Sequence, residues 1–265
     1  MYTAIAIYGT ESVLPETAFR IGMDYFQCIE LPVTKTSYFN YLANGDHQGD
    51  HETLELSVSE LKERIYHNDA TSFRLYSEKK GHLPWLASFG YSTNEFGGFF
   101  HLDGQYPDDC HSDEKIIDFI NRLSINSAEV YGIVYSCDKV SNAFYYSAGN
   151  NLVNVYPYEN SSLFKKETPG RFQGEERYKF SKLRMIYPIN ILNENHLLIN
   201  VNGITLQEWI LEDKSHGLLE MLNNGLWLWR VENDIINPVN EYLGELGILI
   251  SWKKILSKRP PKKIP

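Results

Sequence analysis

Leu218-Leu-Glu-Met-Leu-Asn-Asn-Gly-Leu-Trp-Leu-Trp-Arg-Val231 decides the fold class. Two apolar runs, 218–222 and 226–231, flank Asn223-Asn224-Gly225. An Asn-Gly pair accepts the positive φ angles of a tight turn whose twist matches paired strands, so the stretch reads as an antiparallel hairpin. The run Leu226-Trp-Leu-Trp-Arg does not alternate apolar with polar, and its strand is therefore expected to be covered on both faces. Trp227 and Trp229, two residues apart, share one of those faces.

Outward from this hairpin, strand runs and capped helices fill the chain. Residues 4–8 read as a strand ended by Gly9. Residues 14–26 read as a helix with Pro15 in its first turn and Phe19, Met23 and Phe26 at helical spacing. Residues 44–51, rich in Gly, Asp and His, form a loop. Ser57 and Glu60 frame a capping box that opens a helix bearing Leu61 and Ile65. Strands are expected at 72–76 and 85–91, and a third begins at 97–102. Residues 113–123 form a helix striped by Ile116, Ile120 and Leu123. Residues 129–137 and 143–147 read as paired strands. Residues 158–180 show little apolar periodicity and read as a linker or long loop. Thr205 and Glu208 frame a second capping box ahead of Trp209 and Ile210. A helix with Ile236, Val239, Leu243 and Leu246 on one face stops at Gly247, and residues 248–252 close as a strand. The basic, proline-containing tail 255–265 is expected to be disordered. The chain is thus α/β or α+β, a mostly antiparallel sheet with flanking helices. It divides into residues 1–157 and 181–254, which leaves room for two α/β subdomains.

Composition narrows the function classes. The chain has 265 residues, 43% hydrophobic and 22% charged, enough to build a core without disulfides or metal. Its net charge of −9 is uneven. Residues 252–265 carry six basic residues and no acid, which leaves 19 basic against 34 acidic residues in the body, a net of −15. Such a body disfavours nucleic acid and attracts a cationic partner. Three widely spaced cysteines, Cys28, Cys110 and Cys137, do not make a disulfide framework. The start has no signal-peptide pattern and no run approaches 18 apolar residues, so a cytoplasmic protein without a membrane span is expected.

Two polar clusters are the candidates for chemistry. Asp46, His47, Asp50 and His51 place carboxylates and imidazoles at short spacing, and His101, Asp103, Asp108, Asp109, Cys110, His111 and Asp113 do so between a strand and a helix. Neither supplies an organised ligand set, so no metal and no cofactor are expected. Cys137 lies in a strand and reads as a core thiol. GxSxG, P-loop, HExxH and GxGxxG patterns are missing, which disfavours an enzyme. A catalytic site around Asp103–Asp113 is the main rival, and a cytosolic adaptor is another. The candidate partner contacts are Asp46, Asp50, Glu52, Tyr106, Asp108, Asp109, Asp113 and Glu114, acids on two loops flanked by Tyr41 and Tyr106.

Leu183-Arg-Met-Ile-Tyr-Pro-Ile-Asn-Ile-Leu192, Val201-Asn-Gly-Ile-Thr-Leu-Gln-Glu-Trp-Ile210, Gly225-Leu-Trp-Leu-Trp-Arg-Val231 and Leu246-Gly-Ile-Leu-Ile250 together resemble a pattern in bacterial immunity proteins of polymorphic or type VI secretion toxin systems. The resemblance covers residues 183–252, and its motifs specify a fold without a catalytic residue. It implies a cytoplasmic protein that neutralises a cognate toxin by stoichiometric occlusion. An acidic inhibitor suits a cationic toxin, such as a nuclease.

Overall fold

Strict alternation along β1 (Tyr2–Tyr8) sets the layering: Ala4, Ala6 and Tyr8 enter one buried core, and Ile5 and Ile7 enter another on the opposite face. The computed structural model describes residues 1–254 apart from 48, 109–112, 124, 126 and 170–172. After β1 come α1 (Pro15–Cys28), β2 (Lys35–Tyr41), β3 (His51–Leu56), α2 (Val58–Tyr66), β4 (Phe73–Ser77), β5 (Ala87–Ser92), β6 (His101–Pro107), α3 (Asp113–Asn121) and β7 (Tyr131–Cys137). The chain continues through α4 (Val140–Ser147), α5 (Ser161–Glu167), β8 (Ile189–Leu192), α6 (Glu194–Leu197), β9 (Asn200–Val201), β10 (Ile204–Thr205), α7 (Leu206–Glu212), β11 (Leu218–Met221), β12 (Trp227–Arg230) and α8 (Ile236–Glu245).

Ten strands form one antiparallel sheet in the order β11-β12-β8-β7-β1-β6-β5-β4-β2-β3. The fold is α+β, with helices on both faces. Ile21, Tyr25 and Phe26 of α1, Leu61 and Ile65 of α2, and Ile116 and Ile120 of α3 cover the Ile5–Ile7 face. Ala143 and Tyr146 of α4, Phe164 of α5, Trp209 of α7 and Leu243 of α8 cover the other. β12 is covered on both sides as its pattern demands, Leu228 entering one core and Trp229 the other. Both capping boxes form: the Ser57 and Thr205 hydroxyls accept from the Glu60 and Glu208 amides, and each glutamate accepts from its cap's backbone N–H. Gly247, at φ +72°, ends the turn after α8. Among the described residues no helix is long and apolar enough to cross a membrane.

Four expectations differ from the structure. Residues 143–147 lie in the helix α4: Val140, Ala143, Tyr146 and Ser147 are buried at helical spacing, which the strong β-propensity of consecutive tyrosines obscured. The strand expected from residue 97 begins at His101, because Phe96 and Gly97 adopt positive φ and turn the chain. Residues 248–252 make single bridges, Leu183 to Leu249 and Glu159 to Trp252, and form no strand. The stretch 158–180 carries α5, capped by Asn160, and buries Phe164 and Tyr178. Its few core side chains are spaced irregularly, so no period revealed them. β8 pairs with β7, and the sheet therefore runs through residues on both sides of that stretch. The tail 255–265 lies outside the described residues.

Candidate functional site

The sheet register places His101, Asp103 and Gln105 on the α4 face of β6, in line with Ala6 and Ala4 of β1. Beyond β6 this face turns polar. Arg74 on β4 reaches across β5 to Asp103, Nη2 to Oδ1 2.6 Å, and its Nη1 donates to Ser88 Oγ at 3.1 Å. Gln105 Nε2 donates to the other Asp103 oxygen at 2.5 Å, and Ser88 Oγ donates to Gln105 Oε1 at 2.6 Å. Phe144 of α4 lies over the guanidinium, 4.4 Å from its centre. The arrangement needs a strand residue without a side chain. A Cβ on Gly90, which separates Arg74 from Asp103, would stand 2.2 Å from Arg74 Nη2 and 2.9 Å from Asp103 Oδ1.

His101 sits at the end of this network. Its Nδ1 lies 2.8 Å from the Phe99 carbonyl, which only accepts, so the ring proton is on Nδ1. Burial holds its pKa below the usual histidine range, against the opposing pull of Asp103. Nε2 of the neutral ring is then an acceptor, 3.7 Å from Asp103 Oδ1 and without a hydrogen bond among the described residues.

A cleft of about 380 Å³ opens beside these groups, lined by Phe39, Arg74, Phe96, Phe99, His101 and Phe144 among others. At its mouth, Phe96 is held at φ +53°, a conformation costly for a bulky residue. Its ring packs 4.4 Å from Tyr41, 5.2 Å from His51 and 5.6 Å from Phe39. Tyr41 is half exposed. An aromatic platform thus stands at the end of the β2–β3 hairpin, next to Glu95 and the hairpin acids.

The two acidic loops of the sequence lie at opposite ends of the strands. Asp46 and Asp50 are in the β2–β3 loop and Glu52 is on β3, at the end where Tyr41 faces His51 and Tyr8 faces His101. Asp108 follows β6 at the other end, where it accepts from Thr3 Oγ1 at 2.7 Å. It lies seven positions after His101, about 23 Å along the strand, so His101 and Asp108 do not gather into one centre. Glu114 is exposed on α3, while Asp109, Cys110 and His111 lie outside the described residues. Asp113 begins α3. Tyr106, expected as a loop contact, is instead 2% exposed and packs edge-on against Tyr25, because β6 turns it into the core. Burial pushes the Cys137 thiol up to about 12, so it carries no thiolate at neutral pH. Among the described residues no three His, Cys, Asp or Glu side chains are grouped to hold a metal ion.

Arg74, Gly90, Phe39 and Phe96 escaped the sequence reading. Gly90 inside an expected strand was the available signal, since a strand glycine marks close approach of another group. Gly90→Val is expected to cost about 1–3 kcal/mol through overpacking against Arg74. Urea denaturation checks it, and an unchanged midpoint would mean the guanidinium moves aside freely.

A scan against protein-family models finds no match, and a search of curated proteins finds none. Among solved structures, the chain is similar to the Pseudomonas aeruginosa T6SS protein PA0821, with a TM-score of 0.53 at 14% identity, over 94% of this chain and 76% of that one. At that identity the likeness is one of fold.

Proposed function

We propose that this chain is an immunity protein that binds and neutralises a toxin effector of a type VI secretion system by stoichiometric occlusion, without catalysis of its own. The observation that carries the binding reading is the hairpin-end surface, where the exposed Tyr41, packed on the half-buried Phe96 and through it on Phe39, sits beside acids. Aromatic anchors surrounded by charge are the composition of protein interfaces. Of the polar groups beside it, Arg74, Asp103, Gln105 and Ser88 are committed to one another. The fold shared with a T6SS protein supports the system to which the partner belongs, and a body charge of −15 supports a cationic partner.

The deciding experiment is co-expression with the product of the neighbouring gene. Growth should be restored and the two chains should co-purify at one to one. Continued toxicity with this chain in excess would sink the proposal. A finer prediction separates the two acidic loops. Replacing Asp46, Asp50 and Glu52 by Asn, Asn and Gln should slow association about tenfold at low salt and flatten its salt dependence, because rim charges act chiefly on encounter. The same neutralisation of Asp108 and Glu114, at the far end of the strands, should leave association unchanged. Stopped-flow mixing across a salt series reads both, and equal effects from the two loops would dissociate the aromatic platform from the contact.

A further inference from the structure

β3 is the last strand of the sheet, and no strand pairs with its outer side among the described residues. Its outer backbone groups form a template for another strand. Both flanks of that edge are furnished. Alternation puts His51, Thr53 and Glu55 on the face that carries Phe39, Tyr41 and Phe96, and Glu52, Leu54 and Leu56 on the other. On that second face a groove of about 440 Å³ runs between β3 and α2, lined by Tyr38, the half-buried Leu54 and Leu56, and by Glu60, Glu63 and Arg64. The charge of the edge is one-sided. Lys35 is spent on Glu55 at 2.6 Å and Arg64 on Asp69 at 3.1 Å, whereas Glu52 and Glu63 have no ion-pair partner among the described residues.

We infer that this edge accepts an extended basic segment of the partner as an added strand, with one row of its side chains on the aromatic platform and the other in the Leu54–Leu56 groove. The inference deepens the toxin-binding proposal and rests on it for the identity of the partner, while the edge itself is testable alone. In strand addition the main chain supplies affinity and alternate side chains supply choice. Here the platform face is aromatic, the groove face sets Tyr38, Leu54 and Leu56 beside Glu55, Glu60 and Glu63, and the unpaired charges are acidic, so a segment alternating apolar with Lys or Arg fits and an acidic one is repelled. Charges on an edge strand also deter sheet-to-sheet aggregation, but that role alone leaves the strained Phe96 platform and the leucine groove unused.

The test is amide hydrogen exchange on the full chain with an octapeptide of alternating Lys and Val, and with its Glu–Val counterpart. The Lys–Val peptide should slow exchange of amides 51–56 at least about tenfold at saturation. The Glu–Val peptide should not, and Glu52→Lys with Glu55→Lys should abolish the effect while leaving the far-ultraviolet spectrum unchanged. Unchanged exchange at 51–56 with the Lys–Val peptide, or equal slowing by both peptides, overturns the inference. The complex with the neighbouring gene's product gives the second arm. If the toxin is neutralised while 51–56 exchange as in the free chain, strand addition is wrong and the immunity proposal stands. If the peptide protects this edge but no toxin is bound, the edge stands and the immunity proposal falls.

Discussion

Glu159→Ala should destabilise the protein by about 3–5 kcal/mol, because it leaves a guanidinium charged, buried and uncompensated. Both side chains of the Glu159–Arg184 pair are fully buried, Arg184 Nε standing 3.7 Å from Glu159 Oε1. The guanidinium is stacked between Tyr146, 3.5 Å from the ring centre, and Phe164, at 4.2 Å. Its Nη1 donates to the Tyr146 carbonyl at 2.8 Å and to Tyr8 Oη at 3.1 Å. Glu159 accepts in turn from Tyr146 Oη at 2.6 Å and from the Val155 amide at 2.9 Å. The carboxylate therefore closes a network between β1, α4, α5 and the chain ahead of β8. Removing it deprives the cation of its counter-charge and the tyrosine hydroxyl of an acceptor. Adding Arg184→Met to Glu159→Gln should recover much of the loss, since it removes the charge and keeps the volume. Urea denaturation at neutral pH measures all three chains. A loss below about 1 kcal/mol for Glu159→Ala would show that water reaches the guanidinium and that the network is weak.

Acid should weaken the fold through His196. The ring is fully buried, its Nε2 donating to the Tyr178 carbonyl at 2.8 Å and its Nδ1 accepting from the Asn193 amide at 3.2 Å. Both nitrogens are used by the neutral form, and burial pushes the pKa down to about 4. The unfolded chain binds this proton near pH 6.5. Stability from this group is complete above that pH, falls as pH drops, and levels off near pH 4. The loss across the window is about 3 kcal/mol. His101, also held low by burial, acts in the same direction. Thermal midpoints between pH 4 and 7 should therefore decline more steeply for the parent chain than for His196→Gln, which cannot take up the proton. Parallel slopes would locate acid sensitivity elsewhere.

Local chemistry was legible in the sequence, and its consequences across the sheet were not. The capping boxes at Ser57 and Thr205 and the Asn224-Gly225 turn each depend on residues a few positions apart, and each forms; of the expected α8 stripe, Ile236, Val239 and Leu243 are buried, while Leu246 lies past the helix end and is exposed. The two-sided cover of β12 followed from its unbroken apolar run. The acids of the β2–β3 loop were legible as exposed, but their neighbours were not. Phe96 reaches Tyr41 and His51 only because β2, β4 and β5 are adjacent in the sheet. Arg74 and Asp103, 29 residues apart, meet across a glycine on a third strand. Tyr106 looked like the flank of an acidic loop until strand alternation turned it inward. Such pairings are set by register, which no single segment encodes.

The position of β1 bears on how the protein comes to be made. It lies between β6 and β7, with Tyr2 opposite both Pro107 and Cys137, so the earliest strand of this sheet in chain order is completed by strands that come roughly 100 residues later. At ~5–20 residues per second, nascent β1 waits on the order of 5–20 s with both sides unpaired. Its alternating Ala-Ile-Ala-Ile segment is sticky during that interval, and a strand destined for the centre of the finished sheet stands unpaired on the growing chain.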